Sequence, residues 1–417
     1  MQRAHRTDHA FARVKRLSRL AQTPGVFPTL LIVVIATLAL AGCAPFWGQA
    51  KTSRTPNIPV SSPQSTAYVP TQRGYALNSI YMVSASDGWA VGSAQGAQDP
   101  LIVHYTGGHW EQISNPSGTR VLASASWLTQ VVMLSASEGW AVGGFTDFNN
   151  HNFGLMLHYT GGLWTRQTFP NVYLSGLTML SPREGWAVGT TSLTPGPSQK
   201  GVLLHYTGGS WASVPAFGST LTQVVMLSPG NGWIVGQTFP PGSTEASGPS
   251  LWRFDGNAWT AVTIPGIDTV TKLSLLSASD GWAVGFKAAP VGAAISRSPA
   301  SSMGGDTVFA YYDGQHWTAM QTMQNTAVAA LSLDASNDGW AVGTAVNPPA
   351  SGGAAASQNL YLHNTGGKWM PVDGPADDGG LQAVFMLSAS DGWAVEGNGA
   401  ILRYQQGGWQ VVVSPVA

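Results

Sequence analysis

The chain has 417 residues, 44% of them apolar and 9% charged, with a single Cys and a formal net charge of −1. That composition supplies core material for two or three ordinary domains and excludes a disordered chain. Its 51 Gly and 26 Pro exclude a mainly helical protein, and one Cys excludes an intramolecular disulfide.

At the N-terminus, Arg3, Arg6, Arg13, Lys15, Arg16 and Arg19 precede an apolar run over 26–41 that ends in small residues and Cys43. A basic flank, a short apolar run and a small-residue end predict an export signal over 1–42. The alternative is an uncleaved anchor helix, but 26–42 is only 17 residues long and contains Pro28, which is the short limit for a span. The letters Leu40-Ala41-Gly42-Cys43 resemble the lipobox of bacterial lipoproteins. The resemblance implies cleavage before Cys43, lipidation of its sulfur and new amino group, and an extracytoplasmic protein anchored to a membrane of the cell envelope. Two or more acyl chains hold a protein on a bilayer stably where one does not. Without 1–42 the chain carries 13 basic and 19 acidic residues, a net of −6, which argues against nucleic acid as a partner.

Residues 43–74 come next, rich in Pro, Ser, Thr and Gln. Such a stretch cannot bury enough apolar surface to fold and predicts a flexible tether, which at about 3 Å per residue lifts the remainder of the chain several tens of Å from the lipid.

From residue 75 to 417 the chain repeats itself seven times, in units of about 49 residues. The first motif is SASDGWAVG or a variant of it, with its Trp at Trp89, Trp140, Trp186, Trp233, Trp282, Trp340 and Trp393. The second, HYTGGHW in its first occurrence, ends at Trp110, Trp164, Trp211, Trp259, Trp317, Trp369 and Trp409. Each unit parses into four strands, A to D: an apolar run such as LTQVVMLS, a hairpin turn on Asp-Gly, Glu-Gly or Asn-Gly, then GWAVG, a variable loop, a run such as GLMLHY, a Gly-rich turn, and a strand opened by Trp. Four-stranded sheets repeated at this period predict an all-β, seven-bladed β-propeller over 75–417.

Fourteen of the 17 tryptophans occupy the two repeat positions. Positions equivalent by blade sit at equal radius and cannot converge on one ligand, so these rings are expected to pack blade against blade. Each contributes on the order of 4–6 kcal/mol at most, from about 150–250 Å² buried per ring. The same test applies to His104, His158, His205 and His363, which share one strand C slot with Arg253 and Arg403. They lie on different spokes and are expected to hydrogen-bond between blades or at a strand's solvent edge rather than to bind zinc.

The chain also resembles known propeller families. A strand B ending in Gly, or in Gly143-Gly144, followed by an aromatic and then Trp is similar to kelch repeats. Asp255-Gly256 to Trp259 and Asp313-Gly314 to Trp317 resemble shortened Asp-boxes, as in sialidase-like propellers and the photosystem II assembly factors. The stretch GWAVEGNGAILRY at 392–404 is similar to the assembly-factor style. These resemblances imply the fold, and they bring two functional alternatives: a sialidase-like glycan-active enzyme, and an assembly factor for a membrane complex of the photosynthetic type.

Variation concentrates in the B–C loops, read as 93–100, 144–153, 190–200, 237–250, 286–306, 344–358 and 396–399, all on the upper face with the D–A loops. A rigid scaffold with one variable face predicts binding there. In 144–153, Phe145, Phe148 and Phe153 stand beside Asp147, Asn149, Asn150, His151 and Asn152. Two readings stay open: flat apolar and amide groups suited to a sugar or peptide, or a polar turn with its Phe rings tucked against neighbouring blades. Asp373, Asp377 and Asp378 either hold Ca²⁺ through oxygen or form a solvated acidic turn, their spacing differing from the 12-residue calcium loop.

A sialidase-type site needs three Arg on one carboxylate, yet only Arg120 and Arg297 fall on upper loops. The axial A strands offer Lys272, Gln130 and Gln223 but no carboxylate pair. The expectation is therefore a monomeric binding or scaffold module without enzyme activity, metal or cofactor, contacting an envelope protein or a glycan.

Overall fold

The computed structural model describes residues 64–69, 75–94, 99–114, 123–288, 305–347, 356–376 and 379–414. Cys43, the export signal, Arg120, Arg297, Asp377 and Asp378 lie outside the described residues. The described part is all-β: seven antiparallel sheets, in each of which strands A, B, C and D pair in chain order. Blade 1 takes strands Tyr75–Ser84, Asp87–Ala94, Leu101–Thr106 and His109–Ser114. Blade 2 takes Ala123–Ser135, Glu138–Asp147, Asn152–Thr160 and Leu163–Pro170, and blades 3 to 7 open at Tyr173, Thr220, Thr269, Thr326 and Leu381. The A strands of successive blades adjoin one another, and the first adjoins the seventh, so the ring closes by packing.

The core is divided into seven apolar clusters, one at each junction between blades. The pattern Trp-Ala-Val of strand B explains this. Alternate side chains point to opposite faces of a strand: Trp89 and Val91 pack towards blade 2, whereas Ala90 packs towards blade 7. At six of the seven junctions the strand B Trp meets the next blade's strand D Trp edge-on. These pairs are Trp89–Trp164, Trp186–Trp259, Trp233–Trp317, Trp282–Trp369, Trp340–Trp409 and, across the seam, Trp393–Trp110, at 5.3–5.9 Å and 80–88°. Between blades 2 and 3, Trp140 meets Tyr206 instead, and Trp211 is half-buried. Ten of these rings hold a buried indole N–H with no acceptor, so their contribution is apolar packing and edge-to-face attraction.

The structure moves the A–B turn from its expected place. In blade 1, Ser84 pairs with Asp87, leaving Ala85-Ser86 as the two-residue turn. Ser84 Oγ accepts from the Ser86 N–H at 3.2 Å, and the same bond recurs at Ser135, Ser181, Ser277 and Ser388. The repeated Ser therefore caps the turn, while Asp-Gly opens strand B. The Met82 side chain lies against Gly88, as Met133 lies against Gly139, and a Cβ there would displace the thioether. The Gly-rich C–D turns behave as read: Gly107 and Gly108 have φ of 61° and 87°, the left-handed pair that a tight hairpin requires.

The propeller also begins earlier than residue 75. Within the stretch read as tether, Gln64–Ala67 forms a fifth strand, antiparallel to strand D of blade 1. Backbone pairing at an open outer edge needs little side-chain burial, which is why composition alone hides it. Tyr68 comes next, buried, with its ring 6.1 Å from Tyr75 and its hydroxyl donating to the Gly399 carbonyl of blade 7 at 2.8 Å. Burial, and then the neighbouring Tyr75, push the phenol well above its ordinary pKa, so it stays a neutral donor across the seam.

Candidate functional site

The strand C histidines prove to serve their own blades. His104 Nε2 lies 2.8 Å from Asp87, His158 2.8 Å from Glu138, His205 2.7 Å from Glu184 and His363 2.7 Å from Asp338. The acid is in each case the residue before Gly-Trp, one strand away in the same sheet. Each imidazole also stacks on its blade's Trp at 3.9–4.6 Å and 12–14°. Blade 7 substitutes Arg403, paired through two nitrogens with Asp391 at 3.1 Å and lying 4.7 Å over Trp393. In blade 4, Arg253 sits 5.5 Å over Trp233. Of the two expectations, bonds between blades are corrected, because register places slot, acid and Trp within one sheet, and the His–acid pairs stay partly open to solvent. Among the described residues, no three His, Cys, Asp or Glu form a group that could hold a metal ion.

The 144–153 segment is a hairpin rather than a loop. Strand B runs to Asp147 and strand C starts at Asn152, leaving Phe148, Asn149, Asn150 and His151 as the turn. Phe145 and Phe153 are cross-strand partners stacked at 4.8 Å and 11°, and both pack into the cluster between blades 1 and 2. The Phe145 ring is buried and the Phe153 ring half-buried. On the next positions, Thr146 Oγ1 donates to Asn152 Oδ1 at 3.2 Å. Asp147 Oδ1 accepts the N–H groups of Asn149 and His151, both at 2.8 Å, and its other oxygen lies 3.1 Å from His151 Nδ1. Asn150 takes φ of 62°, the left-handed conformation that Asn tolerates. Of the three Phe, Phe148 is the one left largely in water, 63% exposed, and Asn149, Asn150 and His151 are exposed beside it. The seven candidate residues therefore do not line one pocket: five of them build and pin the turn that carries Phe148.

The backbone N–H of His151, then its imidazole and the Asn149 N–H, hold the Asp147 carboxyl below the usual carboxylate range. A depressed pKa means that the ionised form is favoured by the ordered turn. Its contribution is complete above the ordinary value of 3.8 and is lost as pH falls through the lower folded value. We expect the Asn149 and His151 amides to keep their protection to below the ordinary carboxylate pKa and then lose it, and Asp147→Ala to lose it at every pH. NMR hydrogen exchange checks both, and protection surviving in Asp147→Ala refutes them.

Asp373 is exposed on the D–A connection of blade 6. Nearby, sequence reasoning missed a buried acid. Glu396 is fully buried at the end of strand B of blade 7, and Asn359 of blade 6 donates to its Oε1 at 2.7 Å. The other six blades place Gly there: Gly92, Gly143, Gly189, Gly236, Gly285 and Gly343. At each, a Cβ would overlap a carbonyl oxygen of strand A. In blade 7 the corresponding carbonyl belongs to Gly380, the residue before Glu396's register partner Leu381, and its φ of 69° turns the chain aside. The single departure of GWAVE from GWAVG was the available signal.

No protein-family model matches the chain, and no curated protein matches it. Solved structures do. YCF48 from Cyanidioschyzon merolae is similar at 14% identity and a TM-score of 0.51, over 82% of this chain and 98% of that one. A second YCF48 structure, bound to D1 peptide, aligns at 14% identity and 0.49, over 82% and 96%. The WD40 β-propeller domain of Doa1 aligns at 11% and 0.49, over 83% and 96%. At these identities the likeness establishes the β-propeller fold and nothing further.

Proposed function

We propose that the protein is a membrane-tethered, extracytoplasmic binding or scaffold module whose upper face takes a protein or a glycan. The observation that carries this reading is Phe148, an exposed aromatic on a turn that Asp147 pins from within. A rigid aromatic contributes contact area at small entropic cost, and such residues dominate binding energies. On the next blade's B–C loop, Leu193 is 57% exposed and extends the apolar character of this face. The export signal, Cys43 and the tether supply the envelope location. The test is a photo-crosslinking residue at position 148 of the full chain in intact envelope, against the same residue at Leu163, which is 43% exposed where strand D leaves the lower C–D turn. Defined adducts from 148 and not from 163 are expected. Equal adducts from both, or none from 148, overturn the reading.

A further inference from the structure

Strand D is the outer edge of each four-stranded blade, and in blade 1 the segment Gln64–Ala67 is added to it as a fifth strand. Alternate residues of an antiparallel strand turn both main-chain groups to the same side. Two contacts show that the Trp of strand D turns its groups outward. The Tyr68 N–H donates to the Trp110 carbonyl at 2.9 Å. In blade 6 the Gln321 carboxamide, reaching from blade 5, takes both groups of Trp369: it donates to the carbonyl at 2.8 Å and accepts from the N–H at 3.0 Å.

An open edge strand is a template for another chain, and proteins shorten, bend or cover such strands. Six of the seven outer edges are treated in one of these ways. Blade 1 is covered. Strand D is only Ser210–Ser213 in blade 3 and Trp259–Ala261 in blade 4, with Pro215 and Pro265 soon after. In blade 6 it is Lys368–Pro371, capped by Gln321. Blades 5 and 7 carry a bulge, with Met320 and Val412 as the extra residues, which bends the strand and interrupts its ladder. Blade 2 has none of these devices. Its strand D, Leu163–Pro170, runs eight residues in unbroken register with strand C, and among the described residues no strand lies beyond it. By the same alternation Trp164, Arg166 and Thr168 turn their main-chain groups outward, and the stretch 165–168 is exposed throughout.

Blade 1 shows what fits such an edge. Its hairpin HYTGGHW is nearly the HYTGGLW of blade 2, and the strand laid on it, QSTA, is short, polar, uncharged and free of Pro. A second copy of the chain fits less well. Its own Gln64–Ala67 is already engaged, and two such edges paired about a two-fold axis at the central outward residue would set Arg166 directly against Arg166, which is unfavourable. We infer that the outer edge of blade 2 docks an extended segment of a partner protein by strand addition, a surface separate from the upper face. The segment is of Ser, Thr and Gln character, without Pro, and carries an acidic residue opposite Arg166, the one charge in Leu163–Pro170.

The test is amide hydrogen exchange, read by NMR on the full chain with the synthetic peptide acetyl-Thr-Gln-Ser-Glu-Ser-Thr-Gln-amide. Without peptide, the outward amides of Trp164 and Thr168 are expected to exchange fast and the inward ones of Thr165 and Gln167 slowly. Peptide at about ten-fold excess over its dissociation constant is expected to slow Trp164 and Thr168 about ten-fold and to leave Trp409 of blade 7 unchanged. Thr168→Pro removes an outward N–H and no bond of the C–D ladder, so it is expected to keep the thermal midpoint within about 2 °C and to lose the slowing. Because Leu163 opens this strand, its use as the comparison for Phe148 is read in that variant. The same peptide with N-methyl groups on alternate residues, tested on wild type, is expected to do nothing, which keeps the inference testable if Thr168→Pro fails to fold. The inference is overturned if Trp164 and Thr168 exchange slowly without peptide, if peptide leaves them fast, if Thr168→Pro or the N-methylated peptide gives the wild-type response, or if Trp409 slows equally. Slowing that follows protein concentration without peptide assigns the edge to a second copy and also overturns it.

Discussion

Replacing Trp393 by Ala is expected to lower the stability of the propeller by about 3–5 kcal/mol, the cost of emptying a large buried aromatic site. The ring is 1% exposed, meets Trp110 edge-on at 5.5 Å, lies 4.8 Å from Tyr105, and carries the Arg403 guanidinium over its face. All of these contacts but the last cross the seam between blades 7 and 1. Among the described residues no strand is exchanged there, so the seam depends on side chains, that of Tyr68 included. Removing the indole also leaves an apolar void beside the Arg403–Asp391 pair. Trp211→Ala is the matched comparison, since Trp211 is half-buried and its ring neighbour is Tyr206 of its own blade at 5.0 Å. Its cost is expected to be less than half as large. Urea denaturation of both variants decides the matter: equal losses mean that the edge-on contact between blades is not what stabilises the ring.

The period of the two Trp motifs made the blade count legible, because a packing position that recurs seven times leaves the same letter seven times. What stayed hidden required register. Asp87-Gly88 carries the chemistry of a turn, but its Asp is drawn to His104 and its Gly lies under Met82, so the turn falls on the two residues before it. Both partners of each acid–His pair were visible in the sequence, and only the alignment of strand B against strand C joins them. Of the two readings kept open for 144–153, the structure shows the turn with Phe145 and Phe153 packed between blades. Phe145 and Phe153 look like loop aromatics by position, yet they are cross-strand neighbours on lengthened strands, and the polar residues between them answer one another's hydrogen bonds.

Gly189→Ala is expected to cost about 3 kcal/mol or more, although it adds one methyl group to a strand. The methyl would overlap the Tyr173 carbonyl oxygen and stand 2.9 Å from its carbon. Both are backbone atoms held by the A–B ladder, so no rotamer change relieves the contact, and the two strands must part. Gly189 is not among the residues with positive φ, so the cost is steric and not conformational. Blade 7 shows what relief requires. There Glu396 occupies the place because Gly380 bends away, its carbonyl accepting from the Gly397 N–H at 3.0 Å. Gly380→Ala should therefore destabilise by a different route, through strain at its φ of 69° in an otherwise open space, at about 1–2 kcal/mol. Urea denaturation should rank Gly189→Ala well above Gly380→Ala. Hydrogen exchange should place the damage of Gly189→Ala in the A and B strands of blade 3. A Gly189→Ala protein within about 1 kcal/mol of wild type would mean that the strands separate at little cost, and that the six glycines are not what sets the spacing of the inner ring.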